Sequence, residues 1–339
     1  MNIRKYLPFK IEKNGLFPKI DIGFAKIRYQ KIWLWKIPIL VPFFMEVIET
    51  PAIKYKRKNY KLKTYLEDKN FKKKYLEKIY RKRVGRHPNI DNPKTLTEKI
   101  NYLKLNCEDD RIKQCCDKYS VKEYIKKIIG EKYCIPNINT WKNVDEIDFD
   151  LLPNQFVLKV NWSSGYNIIV TDKRLISSAE RNSIKKQIKI WVKPESNSYW
   201  DSFNWGYKNM LPVIYAEKYL QINDDEYKIF CFNGRAIFAL IEQFDSNNKN
   251  YRLCIDRNGN ELGFTIGNYP KAITKISSNY EKMILLAEKL SNNFKFVRVD
   301  FIQSEKELYV GEMTFYSGGG FSKFNPSIWD EKLGKMLKL

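Results

Sequence analysis

Phe296-Val-Arg-Val-Asp-Phe-Ile-Gln-Ser-Glu-Lys-Glu-Leu-Tyr-Val-Gly-Glu-Met-Thr314 is the stretch that decides the fold. Two runs of alternating polar and apolar residues, 295–302 and 307–315, flank the polar turn Ser304-Glu-Lys-Glu307, which predicts an antiparallel hairpin. Alternation puts Arg298 and Asp300 on one face of the first strand. On the second strand it groups Leu308, Val310, Glu312 and Thr314. If the two polar sets face the same way, two carboxylates and a hydroxyl converge beside a guanidinium. Carboxylates that close repel each other unless a positive charge lies between them. Oxygen donors without His or Cys suit a hard cation, Mg²⁺ above all, shared with substrate phosphates. Arg298 would add the charge stabilisation that phosphoryl transfer requires. The competing reading is a solvated hairpin face with a plain Arg–Asp pair.

Outward from the hairpin, two further segments carry chemistry. Phe156-Val-Leu-Lys-Val-Asn-Trp-Ser-Ser-Gly-Tyr-Asn167 is a strand running into a loop of small polar residues, followed by the strand 167–171. Backbone N–H groups and hydroxyls of Ser163, Ser164 and Gly165 can close over a polyphosphate, with Lys159 reaching it from the strand. An ordinary hairpin turn explains the same residues. In Ala216-Glu-Lys-Tyr-Leu220 and Tyr227-Lys-Ile-Phe-Cys-Phe-Asn-Gly234, Glu217 sits at a strand end and Lys228 inside a strand. A lysine in so apolar a run is costly unless it snorkels or meets an anion. Glu217 can accept from an adenine amine or a ribose hydroxyl.

The chain around these segments has 339 residues, 61 of them Lys or Arg and 39 Asp or Glu, for a formal charge of +22. The first 100 residues hold 26 basic and 9 acidic side chains, so most of the charge belongs to an N-terminal region. Such asymmetry points to an anionic surface or ligand near that region. Within it, Lys31-Ile-Trp-Leu-Trp-Lys-Ile-Pro-Ile-Leu40 reads as a half-buried hairpin, or as a basic-aromatic surface at a membrane interface, and 60–86 as a very basic helix. Pro88 and Pro93 close the region near residue 93. Thr95 and Glu98 form a capping box for a helix, and Asp117 is expected to cap a second helix, 118–129, that ends at Gly130. Strands are expected at 155–160, 167–171, 213–220, 227–232 and 235–243, and helices at 178–192 and 279–293. This is an α+β pattern rich in hairpins.

Six cysteines at no metal-ligand spacing and a single histidine, His87, exclude zinc sites and histidine-based dyads. His87 precedes Pro88 in a basic stretch and reads as an exposed turn. Charges interrupt every apolar run of the first thirty residues, so no secretory signal is read there. A cytoplasmic protein with free thiols is expected.

Taken together, the segments resemble the TupA-like ATP-grasp family of bacterial surface-polysaccharide clusters over roughly residues 95–339. The resemblance rests on Leu96-Thr-Glu-Lys-Ile100, Leu103-Lys-Leu-Asn106, Asp117-Lys-Tyr119, and Ile147-Asp-Phe-Asp150 with Leu152-Pro153. It continues through 156–161, 227–234 and 296–301, and ends with Gly311-Glu-Met-Thr-Phe-Tyr316 and Gly318-Gly-Gly-Phe321. It implies an ATP-grasp fold, in which two α+β subdomains grip ATP between antiparallel sheets, here with a basic N-terminal extension. The division is 1–93 for the basic region, 94–215 for the first subdomain and 216–339 for the second. Residue by residue, it implies that Lys159 and Lys228 contact nucleotide phosphates beneath the 163–167 loop, with Lys118 a further nucleotide ligand. It likewise implies that Glu217 contacts the nucleoside and that Asp300 and Glu312, with Thr314 beside them, hold two Mg²⁺ ions. Arg298 and Lys228 take the catalytic roles. Two departures stand out: Trp162 and Ser163 replace an expected His and Gly, and Thr314 stands where many relatives carry Asn.

The implied activity is an ATP- and Mg²⁺-dependent carboxylate–amine ligase working through an acyl phosphate on a cell-surface glycan or a lipid-linked precursor. A kinase acting on a glycan hydroxyl and a non-catalytic protein binding anionic polymer through residues 54–86 are the alternatives. Residues 1–90 are expected to touch the cytoplasmic face of the membrane, and nucleic acid is not an expected partner.

Overall fold

A computed structural model of the chain describes residues 68–339, except 163, 223, 224, 246, 248, 305 and 306, and before them only the backbone of four strands. These strands, β1 (Lys10–Glu12), β2 (Lys19–Asp21), β3 (Lys26–Leu34) and β4 (Ile37–Phe44), form an antiparallel sheet in the order β1-β2-β3-β4. The expected hairpin at 31–40 is the β3–β4 pair, with Trp33 opposite Pro38. Its side chains, and the membrane-facing role read from Trp33 and Trp35, lie outside the described residues.

Helix α1 (Lys69–Val84) starts under an Asp68 cap, stops at left-handed Gly85 and buries Leu76 and Tyr80. The Thr95–Glu98 capping box opens α2 (Leu96–Asn106) as expected. Two short helices follow, α3 (Asp110–Cys116) and α4 (Val121–Ile129). The second corrects an expectation. It begins at Val121 rather than 118: the Asp117 carboxylate accepts from the N–H groups of Tyr119 (2.8 Å) and Ser120 (3.0 Å), as a cap does, but residues 118–120 form a turn ahead of the regular helix. That turn leaves Lys118 outside the helix.

A four-stranded antiparallel sheet then forms from β5 (Asn137–Trp141), β6 (Phe156–Val160), β7 (Asn167–Val170) and β8 (Ile214–Lys218), ordered β5-β8-β6-β7. Between β7 and β8 run α5 (Ser178–Trp191) and the single-turn α6 (Tyr199–Ser202). The chain changes sheets between Lys218 and Glu226. The second sheet contains β9 (Glu226–Phe232), β10 (Arg235–Phe244) and β11 (Asn250–Asp256). After the short β12 (Thr265–Ile266) and α7 (Tyr280–Ser291) it is completed by β13 (Phe296–Ser304) and β14 (Glu307–Thr314). Its order is β11-β10-β9-β13-β14, antiparallel throughout. β15 (Phe324–Asn325) pairs with β12, and α8 (Ile328–Met336) ends the chain.

The two faces of the second sheet have different work. On one, Tyr227, Ile229, Val297, Val299 and Phe301 are buried beneath α7, which supplies Met283, Ile284, Ala287 and Leu290. The opposite face is aromatic at one end, where Phe230 and Phe238 stack at 4.2 Å, and ionic at the other. The aromatic end is a rigid floor for the charged groups beside it.

One feature of the hairpin departs from simple alternation. Asp300 pairs with Glu312, but the next residue, Phe301, pairs with Val310, leaving Gly311 as an extra residue in a β-bulge. A bulge switches the side chains beyond it to the other face. Glu312 and Thr314 therefore lie with Asp300 and Arg298, whereas Leu308 and Val310, expected on that same face, point away. A Cβ on Gly311 would meet Ile302 Cδ1 at 2.7 Å, so the Ile302 side chain would have to shift to admit one.

Candidate active site

Strand register alone assembles the centre of the site. Asp300 stands between Lys228 on β9 and Glu312 on β14, and Arg298 opposes Thr314. The Arg298 guanidinium is bidentate to Asp300, donating from Nε to Oδ1 and from Nη2 to Oδ2, each at 2.6 Å. It also donates to Thr314 Oγ1 (3.2 Å) and Ser317 Oγ (3.1 Å). Lys118 Nζ donates to Glu312 Oε1 at 2.6 Å. The anion expected beside Lys228 is Glu242, to which its ammonium donates, and Arg252 Nη2 meets the other oxygen of Glu242 at 2.5 Å. Glu226 follows at 3.7 Å from Lys228.

The two facing carboxylates titrate in opposite directions. Burial raises Glu312, but Lys118 and Arg298 outweigh it and hold the carboxyl at about 2. Burial pushes Asp300 above its usual range, against the pull of Arg298, with the charge of Glu312 adding to the rise. Two close carboxylates splitting this way is the ordinary result of like charges sharing one site. For Lys228, burial favours the neutral form, yet Glu242 and Asp300 prevail and raise it.

A pH prediction follows from Glu312. Its folded pKa lies below the ordinary 4.5, so its stabilising effect is complete above 4.5 and lost as pH falls toward about 2. Glu312→Gln is expected to make unfolding free energy less steep in pH across that window. Urea titrations at several pH values check this, and an unchanged slope contradicts the assignment.

A second cluster lies on the first sheet. Lys159 and Glu217 are diagonal neighbours on one face, since Glu217 opposes Val157. Glu217 is 3% exposed and receives both Lys159 and Lys122, the latter at 3.0 Å. Lys122 also donates to Ile135 O at 2.8 Å and to Asn137. Burial would raise Glu217, but the two lysines hold it below the usual carboxylate range.

Asn161, at the end of β6, joins the clusters. Fully buried, it donates to Asp117 Oδ2 (2.7 Å) and to Leu211 O (3.0 Å), and accepts from the N–H of Val213 (2.8 Å). Its carbonyl accepts the Lys118 N–H at 3.0 Å. Lys118 thus has its backbone on the first sheet and its ammonium on Glu312 of the second. The loop after Asn161 turns on Trp162, which is buried and donates to Trp191 O at 2.8 Å. Ser164 and left-handed Gly165 are exposed at the tip, while Ser163 lies outside the described residues.

Sequence reasoning missed Glu242, Arg252 and Lys122. Glu242 carried a usable signal: a carboxylate in the apolar run Ile237–Phe244 is as costly as Lys228 in its own strand, and the two costs cancel by pairing. His87 is exposed, as its reading as a turn expects, and the six cysteines form no disulfide. Among the described residues, no helix is long and apolar enough to cross a membrane.

The sequence pattern of one family, TupA-like ATPgrasp, matches residues 98–338. The chain belongs to that family. Its fold is accordingly the α+β ATP-grasp, a superfamily of ATP-dependent ligases. Among solved structures it is similar to a D-alanine–D-alanine ligase from Bacillus anthracis, with 18% identity over 60% of this chain and 57% of that one, at a TM-score of 0.35. It is also similar to an N5-carboxyaminoimidazole synthetase from Staphylococcus aureus complexed with ADP, with 15% identity, 63% and 50% coverage and a TM-score of 0.37. A biotin carboxylase from Campylobacter jejuni gives 13% identity, 65% and 46% coverage and a TM-score of 0.40. The chain spans little more than half the length of the first of these structures. No curated protein matches it.

Proposed function

We propose that the chain is an ATP- and Mg²⁺-dependent carboxylate–amine ligase that activates its carboxylate substrate as an acyl phosphate and acts on a cell-surface glycan or its precursor. The observation that carries the reading is the row Lys228–Asp300–Glu312, with Arg298 and Lys118 bound into it. The glycan rests on the family resemblance.

The donor set fits Mg²⁺. Asp300 and Glu312 offer hard oxygen ligands on facing strand positions, with the Thr314 hydroxyl beside them. Among the described residues no group of three or more His, Cys, Asp or Glu is placed to hold a metal ion. Mg²⁺ commonly takes one or two carboxylates and leaves its other positions to water and phosphates. Bound there, it would offset triphosphate charge and polarise the γ-phosphoryl group. The nucleotide fits the lysines. Lys159 and Lys228 would meet phosphates, Glu217 the nucleoside, and the 163–165 loop would cover them.

The protein's own part is positioning and electrostatics. Arg298 offsets charge on the transferring group and keeps Asp300 in register. Glu242, itself paired with Arg252, holds the Lys228 ammonium in place, and with Asp300 it favours the charged form. Glu217 holds the Lys159 ammonium in place. A carboxylate substrate takes the γ-phosphoryl group, ADP leaves, and an amine displaces phosphate to give an amide.

Hydroxylamine tests this, since it intercepts acyl phosphates as hydroxamates. ATP turnover with a uronic or amino acid and hydroxylamine is expected to yield hydroxamate. Turnover without it, across a panel of such acids, contradicts the ligase, and a phosphorylated hydroxyl product replaces it with the kinase.

A further inference from the structure

Beyond β14 the chain makes the turn Ser317-Gly318-Gly319-Gly320, with successive left-handed φ values of 58°, 64° and 72° at the glycines. Three such residues in a row favour glycine, since each side chain there would be strained. A Cβ on Gly318 would also meet Ser322 Oγ at 2.2 Å, and one on Gly320 would meet Asn101 Nδ2 at 2.8 Å, so those side chains would have to move.

Side chains of α2 reach into this turn. Asn101 Nδ2 donates to Gly320 O at 2.7 Å and to Thr97 O at 2.9 Å. Lys104 Nζ donates to Gly319 O and, at 3.1 Å, to Ser202 Oγ. Lys104 is 4% exposed, and its ammonium lies 4.5 Å from the centre of the Phe321 ring. Burial, reinforced by Arg83, depresses its pKa well below the usual value, against the opposing charge of Asp201. A lysine placed among neutral acceptors is a poor way to fill a core. What its position does achieve is a fixed tri-glycine turn, and the first residue of that turn, Ser317, accepts from the Arg298 guanidinium that grips Asp300.

We propose that Lys104 is a positioning residue: together with Asn101 it clamps the tri-glycine turn, so that Ser317 orients Arg298 and Arg298 presents Asp300 to the cation. The proposal rests on the reading of Asp300 as a Mg²⁺ ligand. Residues that orient metal ligands from outside the ligand set typically cost 10–100-fold in metal affinity when removed. A plain core lysine would cost stability alone.

The test uses the full chain, calorimetric binding of a non-hydrolysable ATP analogue over a series of Mg²⁺ concentrations, and thermal unfolding of each variant. Lys104→Met and Ser317→Ala are each expected to raise the Mg²⁺ concentration for half-maximal binding about 10-fold, with binding in EDTA unchanged. The double variant is expected to be no worse than the weaker single one, because both act through one chain of contacts. Unchanged Mg²⁺ dependence in Lys104→Met, with only a lower unfolding midpoint, overturns the proposal. Should Lys104→Met fail to fold, unchanged Mg²⁺ dependence in Ser317→Ala overturns it alone. Asp300→Asn separates the two layers. If it leaves Mg²⁺ dependence intact, the ligand reading falls and takes the clamp with it. If it shifts the dependence while Lys104→Met and Ser317→Ala do not, only the clamp is wrong.

Discussion

Arg298→Met is expected to lower folding stability by about 3–5 kcal/mol and to abolish Mg²⁺-dependent nucleotide binding. Arg298 touches Asp300, Thr314 and Ser317 together. Asp300 is 8% exposed, and without the guanidinium its carboxylate stands buried between Glu312 and the Lys228–Glu242 pair. Removing one partner of a buried pair costs far more than the pair itself contributes, because the other charge stays desolvated. Arg298→Lys keeps the charge and loses the two-pronged geometry, so it should recover part of the stability but little of the binding. Chemical denaturation and calorimetry measure both. A Met variant as stable as the parent, binding the nucleotide with native Mg²⁺ dependence, contradicts the electrostatic account of this face.

Glu217→Ala comes second, with an expected loss of about 3 kcal/mol and ATP binding weakened at least ~100-fold. Its carboxylate is the shared counter-ion of Lys159 and Lys122. Lys122 is itself deeply placed, and burial lowers its pKa even with Glu217 present. Without Glu217 the buried Lys122 ammonium would lose its counter-charge, and Lys159 would lose the contact that fixes its ammonium. Glu217→Gln keeps a hydrogen-bonding shape without the charge, so it should fold better than the Ala variant while binding ATP no better. If the Ala variant binds ATP like the parent, Lys159 is not held for phosphate by Glu217.

How far the sequence led depends on the range of each signal. Alternation and turn chemistry are local, so the 296–314 hairpin, the β6–β7 pair and the capped start of α2 were legible. The Gly311 bulge was not, because a single inserted residue leaves alternation on either side intact and only changes which face each half uses. The Asp117 cap was legible for the same local reason, and it does accept from the Tyr119 and Ser120 N–H groups. What no local signal showed is that its second oxygen is claimed by Asn161, 44 positions away. The cost of burying Lys228 announced a partner without saying which. Glu242 came into view only when β10 was laid beside β9. Lys118 illustrates the limit best: nothing near it in sequence indicates a reach to Glu312, 194 positions on. The family resemblance named the residue, and the turn between α3 and α4 explains its placement.

The central claim is that Asp300 and Glu312 hold a cation whose other ligands are nucleotide phosphates gripped by Lys159 and Lys228. A crystal structure of the full chain with a non-hydrolysable ATP analogue and Mg²⁺ tests it most directly. The account predicts a cation about 2.1 Å from an oxygen of each carboxylate, with phosphate oxygens completing its shell and both lysines on the triphosphate. An analogue bound elsewhere, or bound here with Asp300 and Glu312 still joined only to Arg298 and Lys118, would contradict it.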